Sequence, residues 1–150
     1  MAAEGSADSA AAAKSAVLAA YGSMAQLYSN WVLDRPLTQG LFEEFVAALA
    51  ELHGRAGAKG LDVASASGEP AATLARSLGP AATVHATDLP PQMVQLAEAR
   101  CRRLGLPNVV CNRADAEQLQ YADATFDAVT CCMGLMCARC SPGRACLAGL

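Results

Sequence analysis

Leu61-Asp-Val-Ala-Ser-Ala-Ser-Gly-Glu-Pro-Ala-Ala-Thr-Leu-Ala75 is the stretch on which the fold turns. Leu61 to Ser65 reads as a buried strand. Pro70 suits the first turn of a helix, where its missing N–H costs nothing, and the helix pattern runs on to Leu78 before Gly79-Pro80. Mostly small residues, Ala66 to Glu69, separate the two elements. A strand that feeds a helix through so short a connection is the repeating unit of a parallel α/β sheet.

The same rhythm continues downstream. Thr83 to Thr87 is a second strand, and Pro90-Pro91 opens a helix through Met93, Val94, Leu96, Ala97, Cys101 and Leu104 that Gly105 closes. Asn108 to Cys111 is a third strand and Phe126 to Cys132 a fourth, and Ser141-Pro142 begins a last helical segment. The alternation predicts an α/β fold with a doubly wound parallel sheet and helices on both faces. Upstream, Val17, Leu18, Tyr21, Met24, Leu27, Tyr28 and Trp31 recur near helical spacing, and a second helix spans about Leu37 to Ala56, ended by Gly54, Gly57 and Gly60. The expected organisation is a disordered Ala/Ser-rich lead over 1–13, N-terminal helices over 14–58 and an α/β core over 59–150. The chain ends within a helical pattern with no fifth strand, so the sheet is expected to be incomplete, as in a C-terminal truncation.

Composition removes several classes. The net charge of -3 argues against a general nucleic-acid binder, which would normally show a basic face. Hydrophobic residues reach 53%, yet alanine supplies much of that and aromatics are only 5%. No apolar run approaches the roughly 18 residues of a membrane span. The seven cysteines all follow residue 100, and an odd count without a signal peptide points to a reduced, cytoplasmic compartment. Cys137-Ala-Arg-Cys140 has a spacing used in zinc and redox sites, with Cys131, Cys132 and Cys146 close in sequence. Both histidines, His53 and His85, are distant, and cysteine also packs as a small hydrophobe, so the structural reading is preferred and no metal site is assigned.

In an open parallel sheet, ligands bind beyond the carboxyl ends of the strands, where strand order reverses. After the first strand, small residues let the backbone approach a ligand closely, and the free N–H groups of the following helix suit a polar or anionic group. After the second strand stands Asp88, 26 residues beyond Asp62, with two acceptor oxygens to match the two hydroxyls of a ribose; the same residue would also serve as a helix cap. After the third strand, Asp115 is placed to accept from an exocyclic amine such as that of adenine, or to stand as a solvated turn residue. Phe126 is expected in the core, and His85, in mid-strand, is expected to be a satisfied buried histidine.

These segments, together with ATDLPPQM (86–93) and RADAEQLQYADATFDAVTCCMGLM (113–136), resemble class I S-adenosylmethionine-dependent methyltransferases. The subgroup they are most similar to is that of the ubiquinone and menaquinone biosynthesis C-methyltransferases. The resemblance covers about residues 60 to 137. It implies a Rossmann-like sheet of the methyltransferase type, S-adenosyl-L-methionine as cofactor and a small-molecule acceptor. It places the glycine-loop motif on Asp62, Ala64, Ser65, Ala66, Ser67 and Gly68, with Ser67 as a hydroxyl contact. Asp88 falls on the ribose-binding acid, with Leu89 beside it, and Met93 on a residue that packs near the adenosine. Asp115 and Ala116 fall on the adenine pair, and Cys132 on a contact just past the fourth strand.

The sequence departs from that pattern at Ala66, where glycine is usual, at Pro90, where serine is usual, and at Gln120, where proline is usual. No residue is assigned a catalytic role. Two other readings stay open. One is an inactive fragment or interaction module, with self-association through the exposed edge of the fourth strand. The other is a nicotinamide-dinucleotide domain, which shares the loop and acid but whose GxGxxG fingerprint is absent.

Overall fold

The computed structural model describes residues 4–33, 35–49, 52, 55–132 and 134. Its elements are α1 (Glu4–Tyr28), a π-helical turn (Ser29–Leu33), α2 (Pro36–Ala47), β1 (Lys59–Val63), α3 (Ala71–Leu78), β2 (Thr83–Asp88), α4 (Pro91–Arg103), β3 (Val109–Arg113) and β4 (Ala128–Thr130). The segment expected at Ser141 onward, with Cys137, Cys140 and Cys146, lies outside the described residues, as does His53.

The N-terminal helix begins at Glu4, so residues 4–13 of the expected disordered lead are helical. Alanine has the highest helix propensity of all residues, and the lead extends a helix already nucleated downstream. The second helix is shorter than expected. α2 ends at Ala47, and beyond it Leu49 N–H donates to Val46 O, Leu52 N–H to Leu49 O and Arg55 N–H to Leu52 O. Leu49 and Leu52 still pack on the core, so the apolar stripe continues while the α-helix does not.

Gly60 is not a helix terminator. It lies in β1, and a Cβ there would stand 2.9 Å from Leu74 Cδ2, so glycine lets α3 sit close on the strand. Strand order is β3-β2-β1-β4, every pair parallel, with Gly60 opposite both Val84 and Ala128. β1 is central and buried, as the apolar run at Leu61 requires. The chain moves outward from β1 through β2 to β3 and then returns to the other side of β1. Right-handed crossovers therefore set α3 and α4 on one face. Val46, Leu74, Leu78, Val84 and Ala86 form the core beneath them.

The expected helix for the opposite face falls outside the described residues. That face carries His85, which meets Tyr121 and Phe126 edge to face at centroid distances of 5.6 and 5.5 Å. Phe126 is half-buried in this aromatic trio rather than part of the main core. His85 is half-buried, and its Nδ1 has no hydrogen-bond partner among the described residues. Burial and the nearby Lys59 lower its pKa. Among the described residues, no helix is long and apolar enough to cross a membrane.

Candidate functional site

The reversal of strand order lies between β1 and β4, and the carboxyl ends of the strands open there into a cavity of about 170 Å³. Each strand contributes its exit. Val63, Ala64 and Ala66 come from β1, and Thr87, Asp88, Leu89, Pro90 and Met93 from β2 and the start of α4. Ala114, Asp115, Ala116 and Glu117 follow β3, and Cys132 and Gly134 follow β4. Lys14, Val17, Tyr21 and Tyr28 of α1 form the remaining wall.

Eight of the twelve residues expected at a cofactor site thus meet around one space: Ala64, Ala66, Asp88, Leu89, Met93, Asp115, Ala116 and Cys132. Asp62, Ser65, Ser67 and Gly68 do not line it. Ser67 is fully buried, and its hydroxyl has no partner among the described residues. Asp62 points its carboxylate beneath the cavity, accepting from Thr130 Oγ1 at 2.7 Å and Ala71 N–H at 3.1 Å. Burial pushes its pKa up to about 7 against these hydrogen bonds. The first turn of α3 is likewise turned to internal use. Ala71 N–H goes to Asp62, Ala72 N–H to Gly68 O and Thr73 N–H to a Glu69 carboxylate oxygen. The expectation of free helix N–H groups for a ligand is corrected: the Asp62 carboxylate of β1 and the Gly68 carbonyl and Glu69 carboxylate of the loop take them.

Asp88 is the organising carboxylate of the cavity. Its Oδ2 accepts from Ala66 N–H at 2.6 Å and its Oδ1 from Leu89 N–H at 2.8 Å. Burial raises its pKa while these two donors act the other way. One bond per oxygen leaves lone pairs on both for a further pair of donors. Ala64 and Ala66 adopt φ of 56° and 48°, the left-handed region that glycine occupies freely. The strained turn is what directs Ala66 N–H at Asp88.

At the other end, Asp115 Oδ1 accepts from Glu117 N–H at 2.9 Å. Lys14 Nζ bridges Asp115 at 2.6 Å and Glu117 at 2.8 Å, and these hydrogen bonds raise its pKa. Sequence reasoning missed the α1 wall. Positions 14, 17, 21 and 28 share one helical face, and Lys14 is the sole basic residue before Arg35, so the signal lay on a helix read only for its periodicity. The exposed members of that pattern are Met24, Leu27 and Trp31.

A cradle of small residues at β1, an acid at the end of β2 and a second acid after β3 meet at the strand ends, where open parallel sheets bind their ligands. A methyltransferase-domain model matches residues 61–149. The chain belongs to that family, in the class I S-adenosylmethionine-dependent group, whose cofactor is S-adenosylmethionine.

It is similar to the ubiquinone/menaquinone biosynthesis C-methyltransferase UbiE of Ectopseudomonas oleovorans, with 33% identity over 106 residues, 69% of this chain and 62% of the relative. The same enzyme of Burkholderia mallei is 33% identical over 111 residues, 71% of this chain and 44% of the relative. The chain therefore spans roughly half the length of the curated relatives it matches. Among solved structures, a SAM-dependent methyltransferase from Aquifex aeolicus superposes with a TM-score of 0.58 at 27% identity, covering 73% of this chain and 55% of that one. A Methanococcus maripaludis protein at 14% identity and a TM-score of 0.61 shares the fold.

Proposed function

We propose that this chain binds S-adenosylmethionine in the cavity between α1 and the strand ends, and forms the cofactor half of a methyltransferase acting on a small-molecule acceptor. The observation that carries the reading is the convergence of the Ala64–Ala66 turn, Asp88 and Asp115 on one space. Asp88 would take the ribose diol with the lone pairs its backbone donors leave over. Met93 and Leu89 would pack against the adenosine, and Asp115 would accept from its amine. The bound cofactor supplies an electrophilic methyl group already activated by its sulfonium. The chain's own part is orientation and the exclusion of water, since proximity is the main lever on such a displacement. The curated relatives' names, which concern quinone biosynthesis, support a small-molecule acceptor.

The test is calorimetric titration of the wild type and Asp88→Ala with S-adenosylmethionine and its demethylated product. The wild type should bind saturably and the variant about 10- to 100-fold more weakly, the worth of hydrogen bonds to a charged acceptor. No heat from either ligand with the wild type would defeat the reading. Saturable NAD(H) binding in the same cell would favour the dinucleotide alternative.

A further inference from the structure

Behind the cavity lies a buried charge pair that the cofactor contacts do not use. Glu69 and Arg100 are 3% and 7% exposed, with Arg100 Nη2 at 3.4 Å from Glu69 Oε1. The other oxygen, Oε2, accepts from Thr73 N–H at 3.0 Å and Thr73 Oγ1 at 2.9 Å. Arg76, at the exposed rim, stands 4.0 Å from Oε1 and donates to Thr73 Oγ1. Taking two charges out of water is costly, and apolar residues of similar size often pack as stably. Such a pair needs a reason beyond stability.

Its location supplies one. Glu69 immediately follows Gly68, whose φ of 102° brings the loop against α4. A Cβ on Gly68 would stand 3.2 Å from Ala97 Cα and 3.3 Å from Arg100 Cδ. The loop is therefore held at two ends. Its cavity end bonds to β2, Ser65 N–H to Thr87 O and Ala66 N–H to Asp88. Its rear end bonds to α4, the helix that starts just after Asp88 and carries Met93 into the cavity. The loop and α4 close a ring through Asp88.

We propose that Glu69 and Arg100 are positioning residues: their ion pair sets the register of the 64–68 turn against α4 and so aims Ala66 N–H and the Asp88 carboxylate for the cofactor's ribose. The proposal rests on the cofactor reading given above. A directional ion pair defines a register that apolar contact would leave free to slip.

The test compares wild type, Glu69→Gln, the double variant Glu69→Met/Arg100→Met and the rim control Arg76→Gln. Two quantities are read: amide hydrogen exchange at Ala66 relative to Val84 and Ala86 in β2, and affinity for the demethylated cofactor product. Glu69→Gln should speed Ala66 exchange at least about tenfold with the β2 amides unchanged, and weaken affinity about tenfold. The double variant should regain the wild-type melting temperature without regaining Ala66 protection or affinity. Arg76→Gln should match wild type in both.

Wild-type protection and affinity in the double variant would overturn the proposal. So would an unfolded double variant, since the pair would then hold the whole fold rather than one turn. A wild type that binds no cofactor defeats the functional reading alone, because Ala66 exchange still reports whether the pair positions the turn.

Discussion

Asp62, expected among the cofactor-binding residues, lies outside the cavity lining. Its carboxylate is buried, held by Thr130 and Ala71, and its pKa is pushed up to about 7 by burial. Between its ordinary value of 3.8 and about 7, the folded chain binds a proton that the unfolded chain does not. Stability therefore falls as pH rises through that window, by at most about 1.4 kcal/mol per pH unit, and levels off above it. Asp62→Asn should remove this slope. The amide oxygen can accept from Ala71 N–H while the amide nitrogen donates to Thr130 Oγ1, so the variant should equal or exceed wild-type stability at alkaline pH. Thermal melts of both proteins across the window would check it, and identical profiles would refute it. Asp88 and Asp115 were legible because each follows a strand, and strand ends converge in this topology. Asp62 and Ser67 were not: the partners of Asp62, Ala71 and Thr130, come from α3 and β4, and which way the Ser67 side chain turns depends on loop torsions that spacing does not encode.

At the scale of elements, the connection between β1 and α3 carries the largest local conflict. Ala64 and Ala66 occupy left-handed backbone at a cost of about 1–2 kcal/mol each for an L-residue. Ala66→Gly should relieve one of these, less the extra entropy that glycine loses on folding. A net gain of about 0.5–1 kcal/mol should appear as a rise in melting temperature of about 1–4 °C. An unchanged or lower melting temperature would show that the alanine methyl packs usefully in the cavity wall. The existence and order of the elements could be read from Gly, Pro and apolar periodicity, but their bounds could not. β1 starts at Lys59 rather than Leu61 and β3 ends at Arg113 rather than Cys111. β4 covers only Ala128–Thr130 of the expected Phe126–Cys132. Strand length is set by how far neighbours pair, and β4 meets β1 over three residues alone.

At the scale of the molecule, α1 is tied to the far end of the cavity by Lys14, and the N-terminal helices leave Leu27, Trp31, Leu37 and Leu41 more than half exposed. β3 and β4 are the end strands of the described sheet. Apolar surface of this kind and an unpaired strand edge both favour association. The chain is therefore expected to self-associate as its concentration rises in sedimentation velocity. A single monomeric species throughout would count against that. The sequence by itself determined the parallel α/β class, the strand order in time, the family and the acids at the strand ends, because periodicity and turn residues are local and the motifs are contiguous. Only the tertiary structure decided that α1 closes the cavity through Lys14, that α3 spends its N–H groups on the loop, and that Glu69 meets Arg100. Each of those pairs residues far apart in the chain or depends on backbone torsion, and such contacts are settled by packing in three dimensions rather than by any spacing along the sequence.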